Sequence, residues 1–421
     1  MKPVFKQYPN GLRLVFKKVE ENRPASLYIA IDVGSSKETE NNNGISHFIE
    51  HLTFKGTETR TAKQISTELE EIGANANAFT SKFATCYFAT CLGEKIENCF
   101  DILSDMVFSS KYSQADIDKE RQVIYEEIDM YQDDPESVCY EQFCMDFYEK
   151  SPLKMPIIGT KESLQNINKK QIEEYVATNY VPQNIVVSVV GNFTTAYVES
   201  LVKKYIAKRF AKKAEVEEKN KSMIIVPDKK FSYITKDVAQ TQIIIGFPCD
   251  NIFSEKKWAY SLLGFIFGGG MGSRLFQKVR EEHGLVYSIS CMPELYECGG
   301  DVVISLGTNK KNQAKAVELI KEEIDKLVAD GFTQEELDRA KNFCKTMIVS
   351  GSETGSSMAK SNASNILTLN RLVSVEERVQ KVEEVTVEDL NELAAKVFNY
   401  GNVCGCVVSN APDEKLFDIF N

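Results

Sequence analysis

The stretch Tyr112-Ser113-Gln114-Ala115-Asp116-Ile117-Asp118-Lys119 returns 220 residues later as Phe332-Thr333-Gln334-Glu335-Glu336-Leu337-Asp338-Arg339. Other features recur with it. Tyr180–Asn192, a turn followed by a continuous apolar run, has a counterpart in Tyr400–Asn410. Leu27, Ile29, Ile31 and Val33 alternate as a half-buried strand does, and Ile243, Ile245 and Phe247 repeat the pattern. Ile96, Phe100, Leu103 and Val107 fall at helical spacing, as do Val317, Ile320, Ile324 and Leu327. Strands interleaved with helices in two similar halves predict an α+β architecture. The charged run from Ala211 towards Pro227 reads as a linker, giving domains 1–210 and 233–421 joined by 211–232.

Working outward from the repeat, the first half holds something the second lacks. The chain has only three histidines, and two of them stand in His47-Phe48-Ile49-Glu50-His51. Residues four apart on a helix lie on one face, so His47 and His51 project together with Glu50 close by. Two imidazoles and a carboxylate are the ligand-and-base set of a zinc hydrolase. Chance supplies on the order of 0.002 matches to H-x-x-E-H in a chain so poor in histidine. Asn43-Gly44 breaks the preceding loop, Ser46 is expected to help cap the helix, and Ile45, Phe48, Ile49 and Leu52 cover its other faces.

A catalytic zinc needs a third protein ligand and keeps a position for water. The segment Ser113 to Tyr131 reads as a helix, with Ser113 and Asp116 at its start and Glu120, Glu126 and Glu127 along it. Glu120 and Glu127 are two turns apart and share a face; Glu126 points elsewhere. Spacing alone leaves the ligand open between a solvated face and either of these two. The repeat narrows the choice. Shifted by 220 residues, Glu120 falls on Ala340 and Glu127 on Met347, so the carboxylates vanish where the histidines vanish.

The runs Asn10-Gly11-Leu12-Arg13 and Asn43 to Thr57, with Glu120-Arg121-Gln122-Val123-Ile124-Tyr125-Glu126-Glu127, resemble the M16 (pitrilysin-like, inverzincin) zinc metallopeptidases. The likeness is to the subfamily of mitochondrial processing peptidase and its short bacterial relatives, and it spans nearly the whole chain. It implies two halves, each a mainly antiparallel sheet with helices on one face, facing each other as a clamshell. It implies one zinc on His47, His51 and Glu127, with Glu50 as general base and Glu120 as a supporting acid. It places Asn77, Ala78 and Phe79, within Asn75-Ala76-Asn77-Ala78-Phe79-Thr80, on an edge strand that pairs with substrate main chain. Arg280 and Tyr287 match a pair presented to the bound peptide from the second half.

The loop Phe267-Gly268-Gly269-Gly270-Met271-Gly272-Ser273-Arg274 lacks the Gly-Lys-Ser/Thr ending of a phosphate cradle, so nucleotide binding is not expected. A helix is expected from Ser273 to Glu282, and His283 is read as a helix-end residue, not a ligand. The net charge of −11 and the lack of a basic face argue against nucleic acid. No apolar run is long enough to span a membrane, and Met1–Tyr8 has no leader pattern, so the expected compartment is the cytosol. Eleven scattered cysteines with no C-x-x-C fit free thiols, with Cys404 and Cys406 as small core residues.

The expected activity is therefore a zinc endopeptidase acting on short or unfolded peptides. Because one chain carries both the zinc half and the Arg/Tyr half, the resemblance implies a homodimer, a heterodimer with a paralogue being the other arrangement. Two other functions compete: a noncatalytic peptide-binding or scaffold subunit, and a zinc hydrolase acting on a nonpeptide amide. Scaffold relatives usually lack part of the zinc motif, which this chain keeps whole. The edge-strand segment and the Arg/Tyr pair argue for peptides.

Overall fold

Strands whose two faces are both covered read as unbroken apolar runs, and four central strands of this chain are of that kind. In the computed structural model, residues 2–20, 23–210 and 225–421 are described. They contain a six-stranded and a five-stranded sheet. The first comprises β1 (Val4–Gln7), β2 (Arg13–Lys18), β3 (Ala25–Ile31), β4 (Asn75–Thr80), β5 (Thr85–Cys91) and β6 (Ile185–Gly191), in the order β1-β2-β6-β3-β5-β4. The second comprises β7 (Lys230–Thr235), β8 (Thr241–Cys249), β9 (Val286–Tyr296), β10 (Gly299–Thr308) and β11 (Cys404–Ser409), in the order β7-β11-β8-β10-β9. Each is antiparallel except for one parallel pair, β2 with β6 and β7 with β11. Apart from β1 the two orders match strand for strand, so the sequence repeat is a repeat of topology.

The chain forms two compact units, and neither is a continuous half. One is Met1–Ile128, Met155–Glu218 and Ser350–Ser374; the other is Asp129–Lys154, Lys219–Val349 and Val375–Asn421. Of the expected linker 211–232, residues 211–224 lie outside the described residues, and the last three already belong to β7.

In the first unit, Leu27, Ile29 and Ile31 of β3 and Ile185, Val187 and Val189 of β6 face a core shared with helices Ile45–Thr53 and Ile96–Phe108. The opposite face, with Val15, Ala30 and Val186, is covered by Ala363 and Ile366 of helix Gly355–Leu369, which comes from the far half of the sequence. Buried Arg13 secures that helix, donating to Ile366 O at 3.1 Å and to Gln183 O at 2.9 Å. The second unit mirrors this exchange. Ile243, Ile245 and Phe247 of β8 face its main core, and helix Pro135–Phe147 covers the other face. There Phe143 lies on Gly246, where an added Cβ would come within 2.3 Å of the ring, so only glycine allows the approach. The layering thus adds to the expectation: most helices lie on one face of each sheet, and one exchanged helix covers the other.

Between Ser273 and Glu282 the expected helix is a short α-turn leading into a π-helix, Phe276–Glu282. Nine of the eleven cysteines are buried, Cys298 and Cys344 are partly exposed, all are free, and Cys404 and Cys406 have no exposure.

Candidate metal centre

The motif helix, Ile45–Thr53, begins at Gly44, whose φ of 91° needs glycine. A Cβ there would also meet Ile158 O at 2.6 Å. The first amides of a helix have no partner within it, and here a buried carboxylate takes them. Glu38 accepts from Gly44 N at 2.7 Å, Ser46 N at 2.9 Å and Asn43 Nδ2 at 2.9 Å. Burial pushes the Glu38 carboxyl up and these donors pull it back down. The expectation that Ser46 caps the helix is corrected. Ser46 already lies inside the first turn, and its hydroxyl pairs with Tyr175 Oη at 2.9 Å. Ile45, Phe48, Ile49 and Leu52 are essentially inaccessible, which leaves His47, Glu50 and His51 on the half-buried face.

Helix Gln114–Asp133 inserts Ile117 and Ile124 into the same core. Ser113 Oγ bonds the Asp116 carboxylate at its start. Arg121 fixes its roll by donating to Leu164 O at 3.1 Å and Ile167 O at 2.8 Å, with its guanidinium 5.7 Å from the Phe48 ring of the motif helix. Glu127 is thereby brought to His47 and His51. Its Oε2 lies 4.0 Å from His47 Nε2 and 3.7 Å from His51 Nε2. The imidazole rings stand edge to face, 4.6 Å apart. One ligand atom from each of the three residues falls within 4.8 Å of the others. Tetrahedral zinc with bonds of about 2.0–2.1 Å sets its ligand atoms about 3.3 Å apart, so a small contraction closes the set. Burial and the neighbouring His51 push the His47 imidazole down to about 3, into the neutral form that ligates metal. His47 Nδ1 is buried and has no partner among the described residues. These donors fit zinc.

Two supports surround the triad. Glu120, 2% exposed, approaches His51 Nδ1 at 3.4 Å through Oε2, while its Oε1 lies 2.7 Å from Lys55 Nζ. A carboxylate on the far nitrogen of a ligating imidazole fixes tautomer and ring orientation. Glu50, one residue before His51, accepts a 2.6 Å hydrogen bond from Thr80 Oγ1. Burial pushes the Glu50 carboxyl up, with the Thr80 hydroxyl and His51 opposing and Glu127 reinforcing the rise. Glu126 is exposed, as expected.

Asn77, Ala78 and Phe79 lie on β4, the sheet edge. Ala78 points to the side of the motif helix, while Phe79 is on the opposite face beneath Lys360 Nζ, 4.8 Å from its ring. Asn77 Oδ1 accepts from Ala78 N at 2.8 Å. Arg280 and Tyr287 belong to the other unit: Arg280 lies in the π-helix with its guanidinium 4.7 Å from the Phe276 ring, and Tyr287 is exposed on β9. His283 Nδ1 donates to Lys278 O, 2.8 Å away, and joins no ligand set among the described residues. Sequence reasoning missed Glu38, Lys55 and Thr80 as contributors. Lys55 and Thr80 stand inside stretches that carry the family likeness; Glu38 has no local signal.

The family model described as "Insulinase (Peptidase family M16)" matches residues 13–161, and "Peptidase M16 inactive domain" matches 166–344. A Bacillus subtilis protein named "Uncharacterized zinc protease YmxG" is 34% identical over 391 residues, covering 92% of this chain and 94% of its own. The chain belongs to the M16 peptidase family. A Rickettsia felis "Uncharacterized zinc protease" is 32% identical, covering 93% of each chain. Among solved structures, "a protease from Helicobacter pylori" superposes on this M16 chain with a TM-score of 0.89 at 23% identity, covering 97% of this chain and 99% of that one. A Pseudomonas fluorescens "peptidase M16 inactive domain" does so with 0.90 at 19%, covering 98% of each. These two likenesses are of fold. Among the described residues no helix is long and apolar enough to cross a membrane.

Proposed function

We propose that this M16 chain is a zinc-dependent endopeptidase that hydrolyses short or unfolded peptides held in an extended conformation. The observation that carries the reading is the convergence of His47, His51 and Glu127 with Glu50 at their side. The names of the relatives, zinc proteases, agree with it. His47, His51 and Glu127 would hold the metal, which when bound supplies a Lewis acid for the scissile carbonyl and acidifies water. Glu50 takes a proton from the attacking water and returns it to the leaving amine, and its raised carboxyl suits both roles. The edge strand β4 pairs with the peptide main chain through Asn77, Ala78 and Phe79, a mode that needs a substrate with a free strand. Arg280 is assigned to hold a substrate carbonyl and Tyr287 to donate to the developing oxyanion. The chain is further proposed to act in the cytosol as a homodimer, which sedimentation velocity on the purified protein tests; a monomer would refute it.

The function is tested by offering a mixed peptide library to wild type, Glu50→Gln and chelator-treated protein, with products read by mass spectrometry. Cleavage by the untreated wild type alone is expected. Equal cleavage by all three sinks the mechanism.

A further inference from the structure

Glu50 is a flexible side chain asked to do directional chemistry. The terminal torsion of a glutamate is broad and roughly two-fold, so a base without a partner presents either oxygen. Among the described residues one neighbouring hydroxyl is bonded to it. Thr80 Oγ1 donates to Glu50 Oε2 at 2.6 Å, a charge-assisted bond when the carboxylate is ionised. We propose that Thr80 is the positioning residue for Glu50, binding Oε2 so that Oε1 is the oxygen that takes the proton.

The hydroxyl sits on a stiff mount. Thr80 is the last residue of β4 and pairs with Thr85 of β5. The connection between them is closed by Ser81 N to Ala84 O at 2.8 Å and by Ala84 N to Ser81 Oγ at 3.0 Å. Thr85 Oγ1 in turn donates to Val33 O at 2.9 Å. A β-branched side chain adds few torsional states of its own. The placement also links two tasks. β4 is the sheet edge proposed to hold the peptide, and its side chains alternate, Ala76 and Ala78 joining Thr80 on the face towards the motif helix. One rigid strand therefore sets both the register of the substrate and the orientation of the base, with Thr80 two residues from Ala78. Sites supported in this way keep the sub-ångström tolerance that proton transfer needs. Thr80 touches neither substrate nor metal in this scheme; it acts through Glu50.

The inference rests on Glu50 being the base, so the experiment separates the two. Wild type, Thr80→Val, Thr80→Ser, Glu50→Gln and the double variant Glu50→Gln/Thr80→Val are assayed on an internally quenched peptide built around a bond that the wild type cuts in the library. Zinc affinity by chelator competition and thermal unfolding are measured alongside. Thr80→Val is expected to lower kcat by about 10–100-fold, the usual cost of losing a supporting partner, with KM changed less than about twofold and zinc affinity retained. Thr80→Ser is expected to recover most of kcat. The double variant should be no slower than Glu50→Gln, because the hydroxyl has then lost the group it positions. Wild-type kcat in Thr80→Val overturns the inference, as does a further loss in the double variant or a failure of Thr80→Ser to rescue. Thr80→Val that loses zinc or unfolds early, with Thr80→Ser no better in kcat, also overturns it. Full activity in Glu50→Gln instead overturns the general-base reading itself.

Discussion

The two units build the same pair of helices and fill the contact between them with opposite chemistry. In the first, the motif helix and Gln114–Asp133 meet through His47, His51 and Glu127. In the second, helices Lys257–Gly268 and Gln334–Ser350 meet through Phe265 and Phe343, their rings stacked 4.1 Å apart at 14°. Ala340 is buried where the first unit has Glu120, and Met347 is exposed where it has Glu127. The scaffold accepts either filling, since apart from β1 the strand order is the same around both. What makes one of them a candidate metal centre is a handful of side chains with their supports.

The strongest way to break the comparison is to write the second unit's residue into the first. Glu127→Met should weaken zinc binding by more than about 100-fold, above the range for a merely supporting residue, and abolish peptide cleavage while thermal unfolding of the metal-free protein stays close to wild type. Chelator competition and the peptide assay read both; retained zinc affinity would show that Glu127 is not a ligand.

Buried acids sharpen the contrast. In the first unit Glu38 has three donors and Glu120 has Lys55. In the second, Asp301 is fully buried with the Tyr148 hydroxyl on Oδ2 and no partner for Oδ1 among the described residues. Burial pushes its carboxyl up to about 7 from 3.8. The folded state therefore keeps a proton that the unfolded chain releases between pH about 4 and 7. The contribution of Asp301 to stability falls across that window by on the order of 4 kcal/mol and levels off above it. Asp301→Asn, which cannot ionise, should remove that fall. Urea midpoints measured from pH 4 to 8 check it: a variant that loses stability as steeply as wild type would show that Asp301 is ionised throughout.

The smallest effect concerns the support of a ligand. Lys55→Met leaves Glu120 buried without its cation, so zinc affinity should drop about 10–100-fold, with cleavage restored by excess zinc. Unchanged affinity in the chelator competition would mean that the ion pair serves packing alone.

Much of this contrast was legible from particular residues. Asp116 and Ser113 marked the helix that carries Glu127, and the loss of Glu120 and Glu127 with the histidines in the repeat tied them into one set. That reading needs only helical periodicity and the shift of 220 residues. Glu38 was not legible, because it lies between two short 3-10 turns, Ser35–Lys37 and Glu40–Asn42, and nothing in its neighbourhood marks a carboxylate as a remote cap. Thr80 and Lys55 stood in view, yet only packing shows which side chains touch the base and the buried acid. The exchange of helices was equally hidden. Arg13 holding Ile366, and Phe143 lying on Gly246, are contacts between segments far apart in the chain.

The sequence by itself determined the repeat, the paired sheets and the His47–Glu50–His51 face, because these follow from short-range spacing on helices and strands. The tertiary structure alone decided which helix covers the second face of each sheet, how Glu38 anchors the motif helix and how Thr80 meets Glu50. Those outcomes depend on volume, burial and the satisfaction of buried polar groups among residues from 5 to 353 positions apart, which no helix or strand periodicity encodes.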